Sequence, residues 1–161
     1  LLRAAVAMRA PAGYENIVVT GPQLDDASFE AIAAQAAPGT QVHRSWPGMG
    51  SQIAEAAAVI SMGGYNTVCE ILATDTPALV VPRETPRLEQ LIRAEALRDA
   101  RALDVMRTPQ VTAETLGAWA AGAVTRRVDR SHISRDGLAA TADFAADLLG
   151  DANPAAQEVV A

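Results

Sequence analysis

With 161 residues, half of them hydrophobic and a fifth charged, the chain has the make-up of one ordinary globular domain and not of a disordered or fibrous segment. Thirteen basic against 19 acidic residues leave a net charge of -6, the wrong sign for a polyanion held by counterion release, which argues against nucleic acid as a partner. The apolar stretches are broken by Glu, Asp or Arg well short of the roughly 20 residues of a membrane span, the opening LLRAAVAMRA has no cleavage site, and the lone cysteine, Cys69, allows no internal disulfide, so a cytoplasmic protein is expected.

The chain opens on a helix-like run, LLRAAVAMRA, closed by the breaker PAGYEN. Short apolar runs then alternate with longer, Ala-rich runs of helical period. Strands are expected at NIVVT (16–20), QVHR (41–44), AAVIS (57–61), ALVVP (78–82) and ALDVM (102–106), with helices over 26–37, 50–57, 65–74, 87–100 and 112–125. Few of these strands alternate polar with apolar, as expected when both faces are buried. The fold class is α/β, a Rossmann-like doubly wound parallel sheet. Such a domain normally starts with a strand, so a first strand is expected in front of Leu1 and is missing from this sequence. In the helix over 87–100, Leu88, Leu91, Ile92 and Ala96 form one stripe expected to lie on the sheet. The organisation read from this pattern is a domain over 1–127, a C-terminal helix within 128–150 whose Leu138, Ala142, Ala145 and Leu149 share a side, and a frayed tail over 151–161.

Several chemistries lose their signature. There is no G-x-x-x-x-G-K-[ST] loop and no G-x-G-x-x-G after a strand, which argues against a P-loop nucleotidase and a dinucleotide dehydrogenase. His43 and His132 have no ligand-spaced Cys, Asp or Glu beside them, so no metal is expected. Cys69, inside a helical run, reads as a small buried hydrophobe and not as a nucleophile.

What remains is SMGGYNTVCE, residues 61–70, which leaves the end of a strand and enters a helix. In open α/β sheets ligands bind outside the carboxyl ends of the strands, and a helix N-terminus there offers unpaired N–H groups and a partial positive charge, a seat for a diphosphate. Gly63 and Gly64 allow close backbone approach, and Asn66 and Thr67 add side-chain donors. Glu70, one turn beyond Asn66, is puzzling beside a phosphate unless it accepts hydrogen bonds from ribose hydroxyls. A bland reading also stands: a tight turn, and a solvated glutamate. VVPRETPRLEQ repeats the arrangement, a strand end, a loop with two prolines and a helix opening on Glu89 and Gln90, which suit sugar hydroxyls.

These residues resemble a known family. Residues 42–103 are similar to the donor-binding half of GT-B glycosyltransferases, most of all MurG-like bacterial enzymes and a group of predicted glycosyltransferases sharing MGGYNTVCE and the pattern VPR..PR.EQLIRA. The resemblance rests on the glycines, Asn66, Thr67, Glu70, Pro77, Pro82 and Gln90 recurring together. It implies a nucleotide diphosphate sugar as donor, its diphosphate facing Gly63, Gly64, Asn66 and Thr67, its ribose Glu70, and its sugar Glu89 and Gln90. The base, expected to be uracil, would meet the loop RSWPGM, against Trp46 or, with the alignment slipped by one, with Ser45 there and Trp46 as packing. Arg83 and Arg87 are lesser candidates to add charge, since exposed arginines are commonly solvated or paired, here with Glu84 or Glu89. The sequence departs from the pattern in three ways. Met62 stands where plant members of the superfamily carry His, the glycine-rich loop of a first strand is absent, and so is the acceptor-binding half that supplies the catalytic base.

The implied reaction is metal-independent displacement at an anomeric carbon by an acceptor hydroxyl. No catalytic residue is expected in this part, no DxD motif appears, and no cofactor is implied. Within enzymes the rival is a nucleotide-sugar 2-epimerase half. Outside them it is a non-catalytic module that senses a nucleotide or binds a partner, which predicts an exposed apolar patch beside the site. A methyltransferase or dehydrogenase lacks its glycine fingerprint.

Overall fold

The computed structural model describes residues 1–151. The chain forms two compact units, one over Leu1–Arg130 and one beginning at Ser131.

In the first unit the expected alternation is present in the order α1 (Leu2–Ala7), β1 (Asn16–Val19), α2 (Asp26–Ala33), β2 (Thr40–His43), α3 (Met49–Glu55), β3 (Val59–Ser61), α4 (Tyr65–Leu72), β4 (Ala78–Val80), α5 (Glu89–Asp99), β5 (Asp104–Val105) and α6 (Ala113–Ala123). Local chemistry sets several of these starts. The Asp25 carboxylate accepts the Ser28 N–H at 2.9 Å to cap α2, and Thr112 and Thr115 exchange bonds in a capping box at α6.

All strand pairs are parallel, but the strands form two groups. β1 pairs with β2 in the register Asn16↔Thr40 to Val19↔His43, while β3 pairs with β4 (Val59↔Ala78 to Ser61↔Val80) and β4 with β5 (Leu79↔Asp104, Val80↔Val105). No hydrogen bond joins β1 to β3.

The central strand β4 shows how the layers are arranged. Ala78 and Val80 pack in a cluster with Ile53 of α3, Ile71 of α4 and Ala94 of α5, whereas Leu79 and Val81 pack with Met8, Leu116 and Ala120 beside α1 and on α6. Successive strand residues point to opposite faces, so α3, α4 and α5 cover one face and α1 and α6 the other. This is the doubly wound α/β arrangement. A third cluster, Val6, Val18 and Ile32, fastens α1 and α2 to β1.

Buried Arg130 closes the first unit. Its guanidinium donates to the carbonyls of Ala102 (2.7 Å), Thr74 (2.7 Å) and Thr76 (2.9 Å), tying the end of α4 to the approaches of β4 and β5. Burial pushes its pKa down and nearby Asp75 opposes that.

Two sequence expectations are corrected. On α5 the sheet-facing residues are Leu91 and Ala94, with Leu97 packed against the same cluster; Leu88 and Ile92 are 54% and 64% exposed, and Ala96 is exposed too. Leu88, Ile92 and Ala96 step by four and lie about 100° round the helix from the line that meets the sheet. Cys69 is exposed, because Val68 and Ile71 take the core positions of α4 and turn their neighbour to solvent.

The second unit contains α7 (Gly137–Asp151), in which the Thr141 hydroxyl donates one turn back to the Gly137 carbonyl at 2.6 Å. Of the stripe expected there, Ala142, Ala145 and Leu149 are exposed, and the side chain of Leu138 lies outside the described ones. The tail expected over 151–161 lies, from 152 onward, outside the described residues. Among the described residues no helix is long and apolar enough to cross a membrane.

Candidate functional site

The segment SMGGYNTVCE forms the turn from β3 into α4, at the carboxyl end of β3. Its two glycines have different jobs. Gly63 has φ +72, and a Cβ there would lie 2.6 Å from Cγ1 of Val80, a fully buried side chain. Only glycine satisfies both conditions. Its N–H donates to the Ser61 hydroxyl at 3.2 Å, which tightens the turn. Gly64 has φ -56 and ψ 147, which any residue adopts, and a Cβ there would meet nothing within 4 Å. The fold gives no reason for glycine at 64.

Gly64 is the N-cap of α4, and no side chain caps this end and no acidic residue sits in its first turn. The first N–H groups of the helix therefore face outward without an intrahelical partner. Asn66 is exposed and Thr67 half-buried on this turn. Glu70, half-buried one turn on, extends toward the start of α3: a Cβ on Gly50 would lie 3.9 Å from its Cγ and 4.0 Å from its Oε1. α4 thus offers amides at its tip and a carboxylate at its side, the pair of functions that a phosphate and a vicinal diol need.

The β4–α5 loop opens on the same edge, because β3 and β4 are adjacent and parallel. Glu89 and Gln90 occupy the first turn of α5. The Gln90 side-chain oxygen accepts the Arg83 N–H at 3.1 Å and so closes the loop. Glu89 pairs with Arg93 at 2.8 Å, and Glu84 with Arg107, whose Nε donates at 2.8 Å. That bond holds the Glu84 carboxyl below its ordinary pKa and the guanidinium above its own. The pairings expected of Arg83 and Arg87 with Glu84 or Glu89 are therefore taken by other arginines. Arg83 and Arg87 are exposed and make no ion pair among the described residues, which leaves two free cations on the loop.

Arg93 went unnoticed in the sequence. Its Nη2 donates to the Gly63 carbonyl at 3.1 Å, its Nη1 holds Glu89, and its guanidinium lies 5.7 Å from the centre of the Tyr65 ring. One side chain thus joins the two turns. The signal was its place four residues after Glu89, the spacing of a helical ion pair.

The β2–α3 loop carries Trp46, half-buried, with its ring edge-on to His43 at 4.3 Å between centroids; Ser45 beside it is exposed. Met62 and Tyr65 are 58% and 67% exposed, which with Leu88 and Ile92 puts four large apolar side chains in solvent on or near the two turns. Among the described residues no group of three or more His, Cys, Asp and Glu side chains could hold a metal ion.

Comparison with known proteins gives this geometry a family. Residues 6–121 match the glycosyltransferase family 28 C-terminal domain. A UDP-N-acetylglucosamine--N-acetylmuramyl-(pentapeptide) pyrophosphoryl-undecaprenol N-acetylglucosamine transferase of Salmonella dublin is 31% identical over 106 residues, 63% of this chain and 30% of that protein. A protein of the same name from Leuconostoc mesenteroides subsp. mesenteroides is 26% identical over 106 residues, 64% of this chain and 29% of its own length. Among solved structures, the calicheamicin glycosyltransferase CalG4 superposes with a TM-score of 0.61 at 24% identity, over 94% of this chain and 40% of that one. MurG of Acinetobacter baumannii gives 0.58 at 21%, over 89% and 46%. These two show a shared fold, the Rossmann-like α/β domain of GT-B enzymes. The chain spans about a third of the length of the curated relatives it matches. The match over residues 6–121, most of the first unit, means that this chain belongs to the glycosyltransferase family 28 C-terminal domain family.

Proposed function

We propose that this chain is the donor-binding domain of a MurG-like glycosyltransferase, which holds a nucleotide diphosphate sugar while a separate acceptor-binding domain presents a hydroxyl. The observation that carries the reading is Gly64, a glycine with ordinary dihedrals and open space around it, at the uncapped tip of α4. A bound diphosphate gives that glycine a reason, since it must approach the backbone N–H groups without a Cβ between them.

In this reading Gly63, Gly64, Asn66 and Thr67 face the diphosphate, and Arg83 and Arg87 add charge. The Glu70 carboxylate accepts the ribose hydroxyls, and Glu89 and Gln90 meet the sugar. The base lies against the β2–α3 loop at Trp46. UDP is favoured because the curated relatives are named for UDP-N-acetylglucosamine. Transfer is a direct displacement at the anomeric carbon. The acceptor oxygen forms the new bond as the glycosyl–phosphate bond breaks, and the leaving diphosphate takes its negative charge to the α4 amides and dipole. The acceptor's proton goes to a base on the other domain, because no residue of this chain is a candidate for it. This chain alone binds nucleotide weakly and turns nothing over, since half the cleft that orients and desolvates the reactants lies elsewhere. The parent protein is assigned to the bacterial cytoplasm, with no nucleic-acid partner.

Calorimetric titration with UDP, ADP and dTDP, repeated for Glu70→Ala, tests the proposal. The expected result is preference for UDP and a loss on substitution of about 1–3 kcal/mol, the worth of a charged hydrogen bond. Equal affinity for UDP in the substituted chain would remove Glu70 from the site. Failure of both this chain and a longer one to bind any nucleotide would defeat the donor-binding reading.

A further inference from the structure

Helix α5 ends in a turn that calls for glycine and holds arginine. The Ala102 N–H donates to the Leu97 carbonyl at 2.8 Å and the Arg101 N–H to the Arg98 carbonyl at 2.8 Å, the paired bonds that close a helix through one left-handed residue. That residue is Arg101, with φ +58, and among the described residues no other side-chain-bearing residue has positive φ. Glycine or asparagine takes this position at least cost, so an arginine holds the backbone under strain there. The turn itself gives no reason for a long cationic side chain.

The side chain lines a cavity of about 270 Å³ together with Arg98, in the last turn of α5, and Arg126, which follows α6. Buried Ala78 and Leu103 and half-buried Val128 form its apolar part, and Asp104 gives it one carboxylate. Ala78 opens β4 and Asp104 opens β5, so the cavity stands at the amino ends of these strands, the edge opposite the α4 tip. The guanidinium groups there are only partly engaged. Arg98 pairs with its neighbour Asp99 at 2.9 Å, Arg126 gives one of its five N–H donors to Asp104 at 2.6 Å, and Arg101 makes no ion pair among the described residues. A fourth cation lies close by. Buried Arg130 donates to the Ala102 carbonyl, between Arg101 and Leu103, and its other two bonds also go to carbonyls. Buried charges are ordinarily paired with an opposite charge, and this one makes no ion pair among the described residues.

We propose that this cavity is a second ligand site, in which Arg98, Arg101 and Arg126 bind a phosphate group, free or carried as a monoester. Opposing the three arginines are Asp104 and about half a negative charge at the carboxyl end of α5, which leaves the lining positive. A phosphomonoester brings about 1.5 to 2 negative charges at pH 7, enough to balance it. Guanidinium forks pair with phosphate in two-pronged fashion, and donors that arrive from three segments suit a tetrahedral anion better than a flat carboxylate. The volume is below the roughly 300–1,000 Å³ of pockets for drug-sized ligands, so a nucleotide sugar is too large for it. The chain as a whole carries -6, so a phosphate is drawn to this place by its local charge and not by the protein's overall field. A bound anion also gives strained Arg101 its reason. The site does not depend on the donor-binding reading.

The test is a titration of the ¹⁵N-labelled chain with inorganic phosphate and with glycerol 3-phosphate, each against sodium chloride at matched ionic strength, followed by ¹H–¹⁵N spectra. Saturable shifts are expected at the amides of Arg101, Leu103 and Val128 and at the Nε–H groups of Arg98, Arg101 and Arg126. Equal affinity for the two probes assigns the site to phosphate alone, and tighter binding of the ester assigns it to a phosphorylated molecule. Arg101→Gly should weaken binding at least tenfold while raising the urea midpoint, because glycine relieves the left-handed turn; lost binding is then not lost fold. If that chain does not fold, Arg98→Gln decides, with a severalfold loss expected. Shifts that chloride reproduces, saturable shifts confined to Gly64–Thr67, no saturable shift at all, or phosphate affinity unchanged in Arg101→Gly overturns the proposal.

Discussion

Replacing Gly63 and Gly64 one at a time by alanine separates what the fold demands of the turn from what a ligand demands. At Gly63 the left-handed φ of +72 costs an alanine about 1–2 kcal/mol. The new Cβ, 2.6 Å from Cγ1 of Val80, must also displace a side chain with no exposed surface, an overpacking cost of about 1–3 kcal/mol. The expected loss is about 2–5 kcal/mol, a large part of the 5–15 kcal/mol that holds a typical domain together. At Gly64 neither cost applies, and the change is expected within about 0.5 kcal/mol. Urea denaturation followed by far-UV circular dichroism measures both. Gly63→Ala combined with Val80→Ala should cost less than the two singles together, since the second substitution removes the methyl that clashes. UDP titration then reads the function proposed for the turn: Gly64→Ala should lose at least tenfold in affinity while unfolding as the parent does. A Gly63→Ala chain as stable as the parent would refute the steric argument, and undiminished UDP binding by Gly64→Ala would remove the reason proposed for that glycine.

Arg93→Ala severs the bonds to the Gly63 carbonyl and to Glu89 and should cost about 1–2 kcal/mol, with Arg93→Lys intermediate because one ammonium replaces a two-pronged donor; equal stability of all three chains would show that the link contributes nothing. Arg130→Met leaves three buried carbonyls without their donor and should cost about 3–5 kcal/mol by chemical denaturation, whereas a neutral result would mean that water replaces the guanidinium. The Glu84 carboxyl titrates below its ordinary 4.5 when folded, so its ion pair with Arg107 is fully present above that pH and is lost as the pH falls through the lower folded value. Acid unfolding of Glu84→Gln should therefore fall off less steeply below about pH 4.5 than that of the parent, and parallel curves would discount the pair.

The order of elements was legible because alternation of β-branched runs with helical periods is a local signal: each of the five strands overlaps its run, with ends no more than two residues away. The face of α5 was not, because Leu88, Leu91 and Ile92 are equally apolar, and which of them meets the sheet depends on how the helix is rotated over β4. Cys69 misled for the same reason, being apolar in a helix whose core line passes through Val68 and Ile71 instead. Around the site, the double glycine was visible as a motif, but the division of labour within it was not. That needed the position of Val80, 17 residues away. Arg93 is the reverse case, an ion-pair spacing plain in the sequence whose partner in the Gly63 turn only the fold supplies.

The exposure of Cys69 has a practical consequence. The sequence holds one cysteine, and it lies three residues after Asn66, on the same side of α4 as that first-turn side chain. A thiol-reactive fluorophore therefore labels one position, close to the helix tip proposed to hold the donor and without entering the core. Occupancy of that tip becomes a change in emission read directly in solution, and the protein serves as its own sensor for screening which sugar it prefers.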